Sequence, residues 1–538
     1  MRVMRTRSRF AMTVLLALVM TATLVPYANA GPKAVNEEVR LQLLAINDFH
    51  GQIAPYSATL GGAALLAGYL DAREAEAKLA NGDTWRLGVG DLIGASPAVS
   101  GLLQDEPTLD ILDTMKFKFS TVGNHEFDEG LAELLRLQYG GYSAVTGYWE
   151  GLDHLQYLAA NVVREDTGEP IFPPYAIENA RGIPVGIIGV VYEGTPSIVT
   201  ASGVAGLDFL PEAETVNLYV DELKAKGVET IIVLIHNGGA GNTTGGTITG
   251  DIVPVVEAMD DEVDVVLSAH THNRYWGYID GKLVTSAHSA GRAFADVDLV
   301  LDRATGDVKS KTATIVPTAN DGSIAPNMKI ADMVAMYEAI VAPIVNQVVA
   351  TAAADITRTQ NAAGESALGN LIADGQKWKM GTQVAFMNPG GIRADLLAGE
   401  VTWGELFAIQ PFGNYMVTMK MTGAQIDQAL EEQWLYQGTS IKMLQISGIS
   451  YSWSASGPLG SKVDPTSILV GGVPLDLTAV YTVTANNFLA DGGDNFRVFK
   501  DATDKLVLGS DLDALVEYVT QLPQPFDSVI EGRATVLP

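Results

Sequence analysis

The sequence of 538 residues contains no cysteine, which excludes disulfide bonds, zinc–thiolate centres and cysteine nucleophiles. Basic residues are scarce, with 34 lysines and arginines against 63 aspartates and glutamates and a formal net charge of −29. A chain this acidic is a poor general binder of nucleic acid polymers or anionic membranes, because its field repels polyanions. A phosphate-bearing ligand therefore requires local positive charge, which bound metal ions would supply.

Long apolar runs are also scarce, and the one that stands out lies at the N-terminus. Residues 1–30 combine four arginines, an apolar run over 11–24 and a small-x-small cleavage site at 28–30. This pattern predicts a cleaved signal peptide and hence a secreted or periplasmic, cell-envelope protein. The alternative is an uncleaved membrane anchor, although the run is short for a span. The later sequence predicts no stable membrane insertion.

The remaining chain is too long for one ordinary core, and its pattern divides into two regions. Over 38–320, buried strands alternate with amphipathic helices, which predicts an α/β domain with mainly parallel strands. A long helical pattern over 321–349 is expected to connect this domain to the rest. Residues 350–538 mix helices with several β segments and predict a separate α+β domain. Residues 139–155, rich in Gly, Tyr and Trp, are interpreted as a loop insertion.

Polar side chains directly follow most of the predicted strands of the first region. They are five of the seven histidines, two aspartates and one asparagine: Asp48, His50, Asp91, Asn124, His236, His270, His272 and, beside Asn124, His125. Because the carboxyl ends of strands in open α/β sheets form the ligand-binding edge, these side chains are expected to converge. A single histidine there is more often structural, but eight such residues are hard to explain by packing.

This donor set indicates two metal ions. Carboxylates, imidazoles and an amide oxygen suit borderline divalent ions such as Zn²⁺, Mn²⁺, Fe²⁺ or Co²⁺. The number of candidate ligands is sufficient for two ions, which can together clamp a phosphoryl oxygen. Asp91 is the expected bridge, because it stands alone between the Asp-x-His and Asn-His segments. His125 can act as an acid or a transition-state donor, and Asp128, three residues later, could orient its ring.

The order and spacing of these residues resemble the calcineurin-like metallophosphoesterases, in a pattern matched here by Asp48-x-His50, Gly90-Asp91, Gly123-Asn124-His125-Glu126, His236 and His270-x-His272. The version at 124–128 resembles the 5′-nucleotidase family, which includes periplasmic UDP-sugar hydrolases and animal ecto-5′-nucleotidases. The resemblance implies a four-layer α/β/β/α sandwich followed by an α+β substrate domain. It also implies one ion on Asp48, His50, Asp91 and His272 and another on Asp91, Asn124, His236 and His270. His125, oriented by Asp128, would then stabilise the transferring phosphoryl group or protonate the leaving oxygen.

The second region carries further segments that resemble the same family, at 365–374, 388–393, 411–414 and 487–494. By this resemblance, a nucleobase lies between two aromatic rings and polar residues hold the ribose and phosphate: Phe412 and Phe488 for the base, Asn414 and Asp494 for ribose or base, and Asn388 and Arg393 for phosphate or ribose. From the residues alone, the rings could equally be core and the arginine a surface charge. An additional arginine found in some family members is replaced here by small residues, and the nearest arginine is Arg358.

The sequence therefore predicts a secreted phosphohydrolase with two metal ions that converts nucleoside 5′-monophosphates to nucleoside and phosphate. The alternatives are hydrolysis of UDP-sugars or other nucleotide pyrophosphates, hydrolysis of 2′,3′-cyclic nucleotides and, outside enzymes, a secreted nucleotide-binding protein. The expected partner is a small-molecule nucleotide and not a nucleic acid polymer. The sequence leaves open which metal binds and what the oligomeric state is.

Overall fold

The computed structural model describes residues 37–438 and 441–537, so the signal peptide predicted at 1–30 lies outside the described residues. The helices and strands of the first region are β1 (Glu38–Ile46), α1 (Ala63–Leu79), β2 (Asp83–Val89), α2 (Ala98–Gly101), α3 (Glu106–Thr114), β3 (Phe117–Thr121), α4 (Leu131–Tyr139), β4 (Gly141–Ser143), β5 (Gly147–Trp149), β6 (Gln156–Leu158), β7 (Val162–Arg164), β8 (Tyr175–Ala180), β9 (Ile183–Val191), β10 (Leu207–Phe209), α5 (Glu212–Ala225), β11 (Thr230–His236), α6 (Ile252–Glu257), β12 (Val263–Ser268), β13 (Arg274–Ile279), β14 (Lys282–Ala287), β15 (Ala293–Asp302) and β16 (Val308–Pro317).

These strands form two six-stranded sheets with mainly parallel centres. The first sheet has the order β16-β15-β1-β2-β3-β6 and the second β13-β14-β12-β11-β9-β8. Strands β1, β2, β3 and β6 run parallel, as do β9, β11, β12 and β14, and the antiparallel pairs lie toward the edges. The carboxyl ends of the parallel strands in each sheet therefore lie at a common edge.

The two sheets pack face to face, with helices on both outer surfaces. In β1 the alternating residues Leu41 and Leu43 join the core between the sheets, whereas Leu44 and Ile46 join the core beneath α1, α3 and α4. The outer face of the second sheet packs against apolar residues of α5 and α6. The layers are therefore α/β/β/α, which confirms the predicted fold class.

The second region begins with a long helix and continues as mixed α and β structure. Its elements are α7 (Met328–Val345), β17 (Val348–Ala352), α8 (Ala367–Met380), β18 (Val384–Met387), β19 (Gly399–Thr402), α9 (Trp403–Ile409), β20 (Tyr415–Thr422), α10 (Gly423–Glu431), β21 (Gln445–Ser447), β22 (Ile449–Ser454), β23 (Leu469–Val470), β24 (Val473–Pro474), β25 (Val480–Asn486), α11 (Asn487–Ala490), β26 (Thr503–Ser510), α12 (Asp511–Gln521) and β27 (Ala534–Leu537). A five-stranded sheet, β21-β18-β25-β20-β26, forms its centre. Helix α10 packs on one face of this sheet, and α8 and α12 pack together on its other side.

Helix α7 is shorter than the connector predicted over 321–349. It spans Met328–Val345 and begins at Asn327, whose side chain accepts a hydrogen bond from the N–H of Ile330. Pro343 lies in its last turn and does not break it. The helix packs against α1, α2 and α3 on one side and against α9 on the other, so it contacts both regions.

Residues 139–155 are not the loop predicted from their composition. They contain the antiparallel hairpin β4–β5, in which Tyr142 pairs with Tyr148. The indole N–H of Trp149 donates to the carbonyl of Leu137 at 2.8 Å, which ties the hairpin to α4. Three-residue strands are too short for an alternating pattern to reveal. Across the described ranges, no helix combines the length and apolarity needed to cross a membrane.

Candidate metal centre and substrate cleft

The eight side chains predicted from strand ends meet at the carboxyl edge of the two sheets. Their positions follow successive strands: Asp48 and His50 after β1, Asp91 after β2, Asn124 and His125 after β3, His236 at the end of β11, and His270 and His272 after β12. Each strand is buried and apolar, and each chain turns away from the sheet where the polar residue stands. The sheet topology alone therefore accounts for the convergence of residues more than 200 positions apart.

The backbone of this cluster is held in an uncommon conformation. Positive φ angles occur at Asp48 (49°), His50 (49°), Asp91 (48°), His270 (69°) and His272 (55°). Such non-glycine conformations are unfavourable and persist where the surroundings over-determine them. Here the loops brace one another, because the N–H groups of Asp48 and His50 donate to the carbonyls of Gly90 and Asp91 at 3.1 and 2.9 Å.

Two glycines allow the loops to approach this closely. A Cβ atom on Gly123 would lie 2.2 Å from Oδ1 of Asp91, and one on Gly90 would lie 2.7 Å from Nδ1 of His236. Gly90 also has a φ of +74°, which favours glycine. Glycine is therefore needed at positions 90 and 123, because a side chain there would overlap the atoms of His236 and Asp91.

The donor atoms form overlapping groups, each compact enough to hold a cation. The groups are Asp48 with His50 and His272, His50 with Asp91 and His125, and Asp91 with His236 and His270, and within each the ligand atoms lie within 4.8 Å of one another. Nε2 of His272 lies 3.3 Å from Oδ1 of Asp48, and Nε2 of His236 lies 3.1 Å from Oδ2 of Asp91. Asp91 and His50 each belong to two groups, and of these two only the carboxylate has two oxygens with which to bridge two ions.

The buried polar atoms of the cluster fit divalent cations. Within the described residues, the buried Oδ1 of Asn124 makes no hydrogen bond, and Nε2 of the buried His236 faces only the Asp91 carboxylate, an arrangement that is unfavourable unless another partner binds the amide oxygen. Burial alone would lower the pKa of His236, but the carboxylates of Asp91 and Asp48 outweigh it and raise the pKa to about 10. The cluster thus attracts positive charge, and its oxygen and imidazole donors suit borderline metal ions.

His125 lies beside this cluster and is oriented by Asp128. Its Nδ1 donates to Oδ2 of Asp128 at 2.8 Å, and its backbone N–H donates to Oδ1 of Asp91 at 2.9 Å. Burial would lower the pKa of His125, but the carboxylates of Asp128 and Asp91 together raise it. Since Nδ1 is engaged, Nε2 remains for a ligand in the adjoining cavity, which His125 lines.

Glu126 organises the same loops, a function that sequence reasoning did not assign. Its carboxylate accepts hydrogen bonds from the N–H groups of Asp91, Leu92 and Gly123 at 2.8, 2.9 and 2.5 Å. Burial, together with the neighbouring charge of Asp91, raises its pKa to about 7. Its place in the Gly-Asn-His-Glu motif was the available signal, but the motif does not reveal which backbone groups it binds.

A cavity of about 200 Å³ extends from His125 to the second region. All six residues predicted for substrate binding line it: Asn388, Arg393, Phe412, Asn414, Phe488 and Asp494. Residues that sequence reasoning did not select also line it, among them Lys442 and Thr200. The cleft is therefore shared, with metal-centre residues at one end and second-region residues around the rest.

The two predicted aromatic residues lie at the wall of this cleft. The ring of Phe412 stacks on His125, with centroids 5.6 Å apart and planes at 17°, and the Arg393 guanidinium lies 5.6 Å from the Phe412 centroid. Phe488 covers Gly493, where an added Cβ would come within 2.5 Å of the ring. Both rings are partly exposed. They are thus available for stacking, unlike the buried phenylalanines of the core.

Arg358 is the arginine of this chain nearest to the position where some family members carry an additional arginine. Nη1 of Arg358 donates to the carbonyl of Ile392 at 2.9 Å, directly beside Arg393. Burial lowers the pKa of Arg393, and the nearby Arg358 charge lowers it further. Arg358 thus brings a second guanidinium to the region of Arg393, although it stands several residues earlier than the family position.

Comparisons with known proteins agree with this architecture. Residues 41–274 match the calcineurin-like phosphoesterases, and residues 348–501 match the 5′-nucleotidase C-terminal domain. The chain is 37% identical to Endonuclease YhcR of Bacillus subtilis over 93% of its own length, but it spans only 41% of that relative. It is 35% identical to a cell wall protein of Listeria monocytogenes, covering 92% of this chain and 68% of the other.

A solved structure is similar over nearly the whole chain. The crystal structure of a 5′-nucleotidase precursor from Thermus thermophilus aligns with a TM-score of 0.78 and 28% identity, covering 93% of this chain and 99% of the other. The fold and the cluster of donors together define a metal-dependent phosphoester hydrolase. The chain belongs to the 5′-nucleotidase family, with an N-terminal calcineurin-like phosphoesterase domain and a C-terminal 5′-nucleotidase domain.

Proposed function

We propose that this protein is a secreted phosphohydrolase that converts nucleoside 5′-monophosphates to nucleoside and inorganic phosphate. The observation that carries the proposal is the single cleft that joins His125 to the partly exposed rings of Phe412 and Phe488. In this proposal residues 38–320 form the catalytic domain, 321–349 the connector and 350–538 the substrate-binding domain.

Two divalent ions would be held at the cluster of strand-end donors. We assign Asp48, His50, Asp91 and His272 to one ion, and Asp91, Asn124, His236 and His270 to the other. The compact donor groups support part of each set, and the unbonded buried oxygen of Asn124 supports its inclusion. When bound, such ions neutralise phosphoryl charge and lower the pKa of water, which supplies the nucleophile at neutral pH. Zn²⁺, Mn²⁺, Fe²⁺ and Co²⁺ all suit this donor set.

His125 acts on the phosphoryl group or on the leaving 5′-oxygen. Its hydrogen bond to Asp128 fixes the ring and stabilises the imidazolium, which then donates from Nε2 into the cleft. A donor placed in advance where negative charge develops lowers the barrier, because phosphoryl transfer depends mainly on positioning and charge neutralisation. Arg393, whose guanidinium lies 5.6 Å from the Phe412 centroid and whose charge acts on His125, adds a cation to the same region.

The nucleoside would lie farther along the cleft. Phe412 and Phe488 present partly exposed faces on which a base can stack, which offers large contact area at small conformational cost. Asn414 and Asp494 are buried at the cleft wall and would contact ribose or base. Asn388 and Arg393 would contact phosphate or ribose. The small cavity and the strongly acidic chain both favour a small nucleotide over a polymer.

Export to the cell envelope or beyond is part of the proposal. It rests on the arginine-rich, apolar and small-residue pattern at 1–30, which is typical of signal peptides. The Listeria relative that is named a cell wall protein supports a location outside the cytoplasm.

The test is phosphate release by the metal-loaded full chain from a panel of esters. The panel contains AMP, UMP, ATP, UDP-glucose, 2′,3′-cyclic AMP and an aryl phosphate, each with and without chelator. We expect chelator-sensitive hydrolysis that is fastest with a 5′-monophosphate. Preference for UDP-glucose or the cyclic nucleotide would transfer the assignment to those reactions. Turnover of the aryl phosphate alone would retain the metal centre and contradict the nucleoside pocket. No turnover with any metal, combined with nucleotide binding, would identify a binding protein.

A further inference from the structure

Lys442 is a cation in the cleft to which the proposed mechanism gives no role. It lies between α10 and β21, and it lines the same cavity as Phe412 and Phe488. Its side chain is 29% exposed, and its Nζ lies 3.3 Å from Oδ1 of Asp494. Since the Asp494 side chain is only 6% exposed, the pair stands at the cavity wall with the carboxylate buried behind it.

The backbone of Asp494 is constrained at the cavity wall. Asp494 has a φ of 53°, and its carbonyl accepts a hydrogen bond from the side-chain amide of Gln437 at 2.7 Å. Nδ2 of Asn388 donates to its Oδ2 at 3.5 Å, a long hydrogen bond. The preceding residue, Gly493, is covered by the ring of Phe488. The backbone that carries the carboxylate is therefore fixed by groups other than Lys442, which contacts the carboxylate itself.

The pair has unused hydrogen-bonding capacity. A carboxylate offers about four acceptor sites, and an ammonium offers about three donors. Among the described residues, the Asp494 carboxylate contacts the side chains of Lys442 and Asn388, and the Lys442 ammonium contacts Asp494. Donor and acceptor thus stand side by side at the cavity that both residues line. The ammonium also offsets a buried negative charge that would otherwise repel an anionic substrate.

A vicinal diol is the chemical group that satisfies such a pair. Each of two adjacent hydroxyls is both a donor and an acceptor, so one can donate to Asp494 while its neighbour accepts from Lys442. We propose that Lys442, acting with Asp494, binds the 2′,3′-diol of ribose and makes the enzyme selective for ribonucleotides over 2′-deoxyribonucleotides. This inference rests on the proposed nucleotidase function, and it makes Lys442 a specificity-determining residue.

The test compares AMP with 2′-deoxy-AMP in the full chain and in the Lys442→Met variant. We expect the parent protein to favour AMP by about 10- to 100-fold in kcat/KM, since a group that binds hydroxyls is left unpaired by the deoxy substrate. In Lys442→Met this ratio should fall by about 3- to 10-fold, mainly through a higher KM for AMP, because Asp494 alone still accepts from one hydroxyl. Lys442→Arg, which retains donors and charge, should preserve most of the ratio.

A matched control is Lys420→Met. Lys420 also pairs with an aspartate, Asp504, at 2.6 Å, but both side chains are exposed and lie outside the cavity lining. This variant should keep the parental ratio, which separates the role of Lys442 from the general loss of a lysine–aspartate pair.

Each other result would overturn the inference in a distinct way. An unchanged AMP to deoxy-AMP ratio in Lys442→Met would remove Lys442 from ribose recognition while leaving the nucleotidase function intact. A variant that alters the order of AMP, GMP and UMP but not the ribose to deoxyribose ratio would show that Lys442 binds the base instead. Hydrolysis of an aryl phosphate with no turnover of either nucleotide would overturn the proposed function and this inference together.

Discussion

At the scale of single residues, the contacts of His125 favour the donor role that we propose for it over a role as a metal ligand. Its Nδ1 is occupied by Asp128, and its ring stacks on Phe412 at the cleft wall. The bond from its backbone N–H to Asp91 does not need the side chain. Removing the imidazole should therefore leave the ligand positions intact.

We expect His125→Ala to lower kcat by about 10²- to 10⁴-fold, the usual contribution of a positioned acid or donor. Metal content, measured by elemental analysis of the purified variant, should stay at the parental value. Asp128→Asn is the companion variant, because it keeps a side chain of similar size beside the ring and removes the charge. Parental turnover in His125→Ala would contradict its assignment, and loss of metal would indicate that it is a ligand.

The strand-end residues were predictable from the sequence, whereas other members of the site were not. Asp48 and His270 could be placed because buried strands have a clear apolar pattern and polar residues stand directly after them. Glu126 and Lys442 could not, because their partners are the backbone of another loop and a residue 52 positions away. A pattern along one segment reveals its own periodicity and not the segment that will pack beside it.

At the scale of elements, helix and strand ends depend on local groups that periodicity detects poorly. Helix α7 begins where Asn327 caps it and stops short of β17, whereas the apolar pattern continues into that strand. Both α7 and β17 bury apolar residues, so the apolar pattern of the sequence does not change where the helix ends and the strand begins. The start of α12 also depends on a local group, since its first residue is the buried Asp511.

Asp511 should make stability depend on pH. Burial raises its pKa to about 7 from the ordinary value of 3.8. Between those values the folded state retains a proton that the unfolded state has released, so this group's contribution to the free energy of unfolding falls as pH rises. Asp511→Asn cannot ionise and should gain about 2–4 kcal/mol relative to the parent between about pH 4 and pH 7.

The measurement is denaturant-induced unfolding of both proteins over a series of pH values. The amide can still accept from the N–H of Leu512, and its NH₂ can donate to Gln410 once the Gln410 amide, whose Nε2 now donates to Oδ2 of Asp511 at 3.2 Å, turns over to present its Oε1, which has no hydrogen bond within the described residues. Asp513→Asn makes the same chemical change at an exposed position of the same helix. If both variants shift the unfolding midpoint alike at every pH, burial of Asp511 is not the cause.

At the scale of the whole molecule, stability should depend on the metal centre. The sequence has no cysteine and hence no disulfide, and a cluster of buried aspartates and histidines joins loops from both sheets of the first domain. A ligand that binds only the folded state stabilises it by about 2.7 kcal/mol at 100 times its dissociation constant.

We therefore expect exhaustive chelation to lower the midpoint of thermal unfolding by several degrees, and Zn²⁺ or Mn²⁺ to restore it. Calorimetry with and without chelator measures the shift. Asp91→Asn, which changes the shared ligand, is the matched variant and should show a smaller response to both treatments. An equal shift in that variant would mean that the chelator acts elsewhere on the protein.

The two walls of the cleft come from opposite ends of the sequence. Every proposed ligand of the two metal ions precedes residue 273, and the residues proposed to contact the nucleoside and Lys442 all follow residue 387. The proposed metal centre and the proposed nucleoside site are thus encoded by separate stretches of the gene. A lineage that exchanges the second stretch, or alters it gradually, can acquire a new substrate without disturbing how the ester is cut.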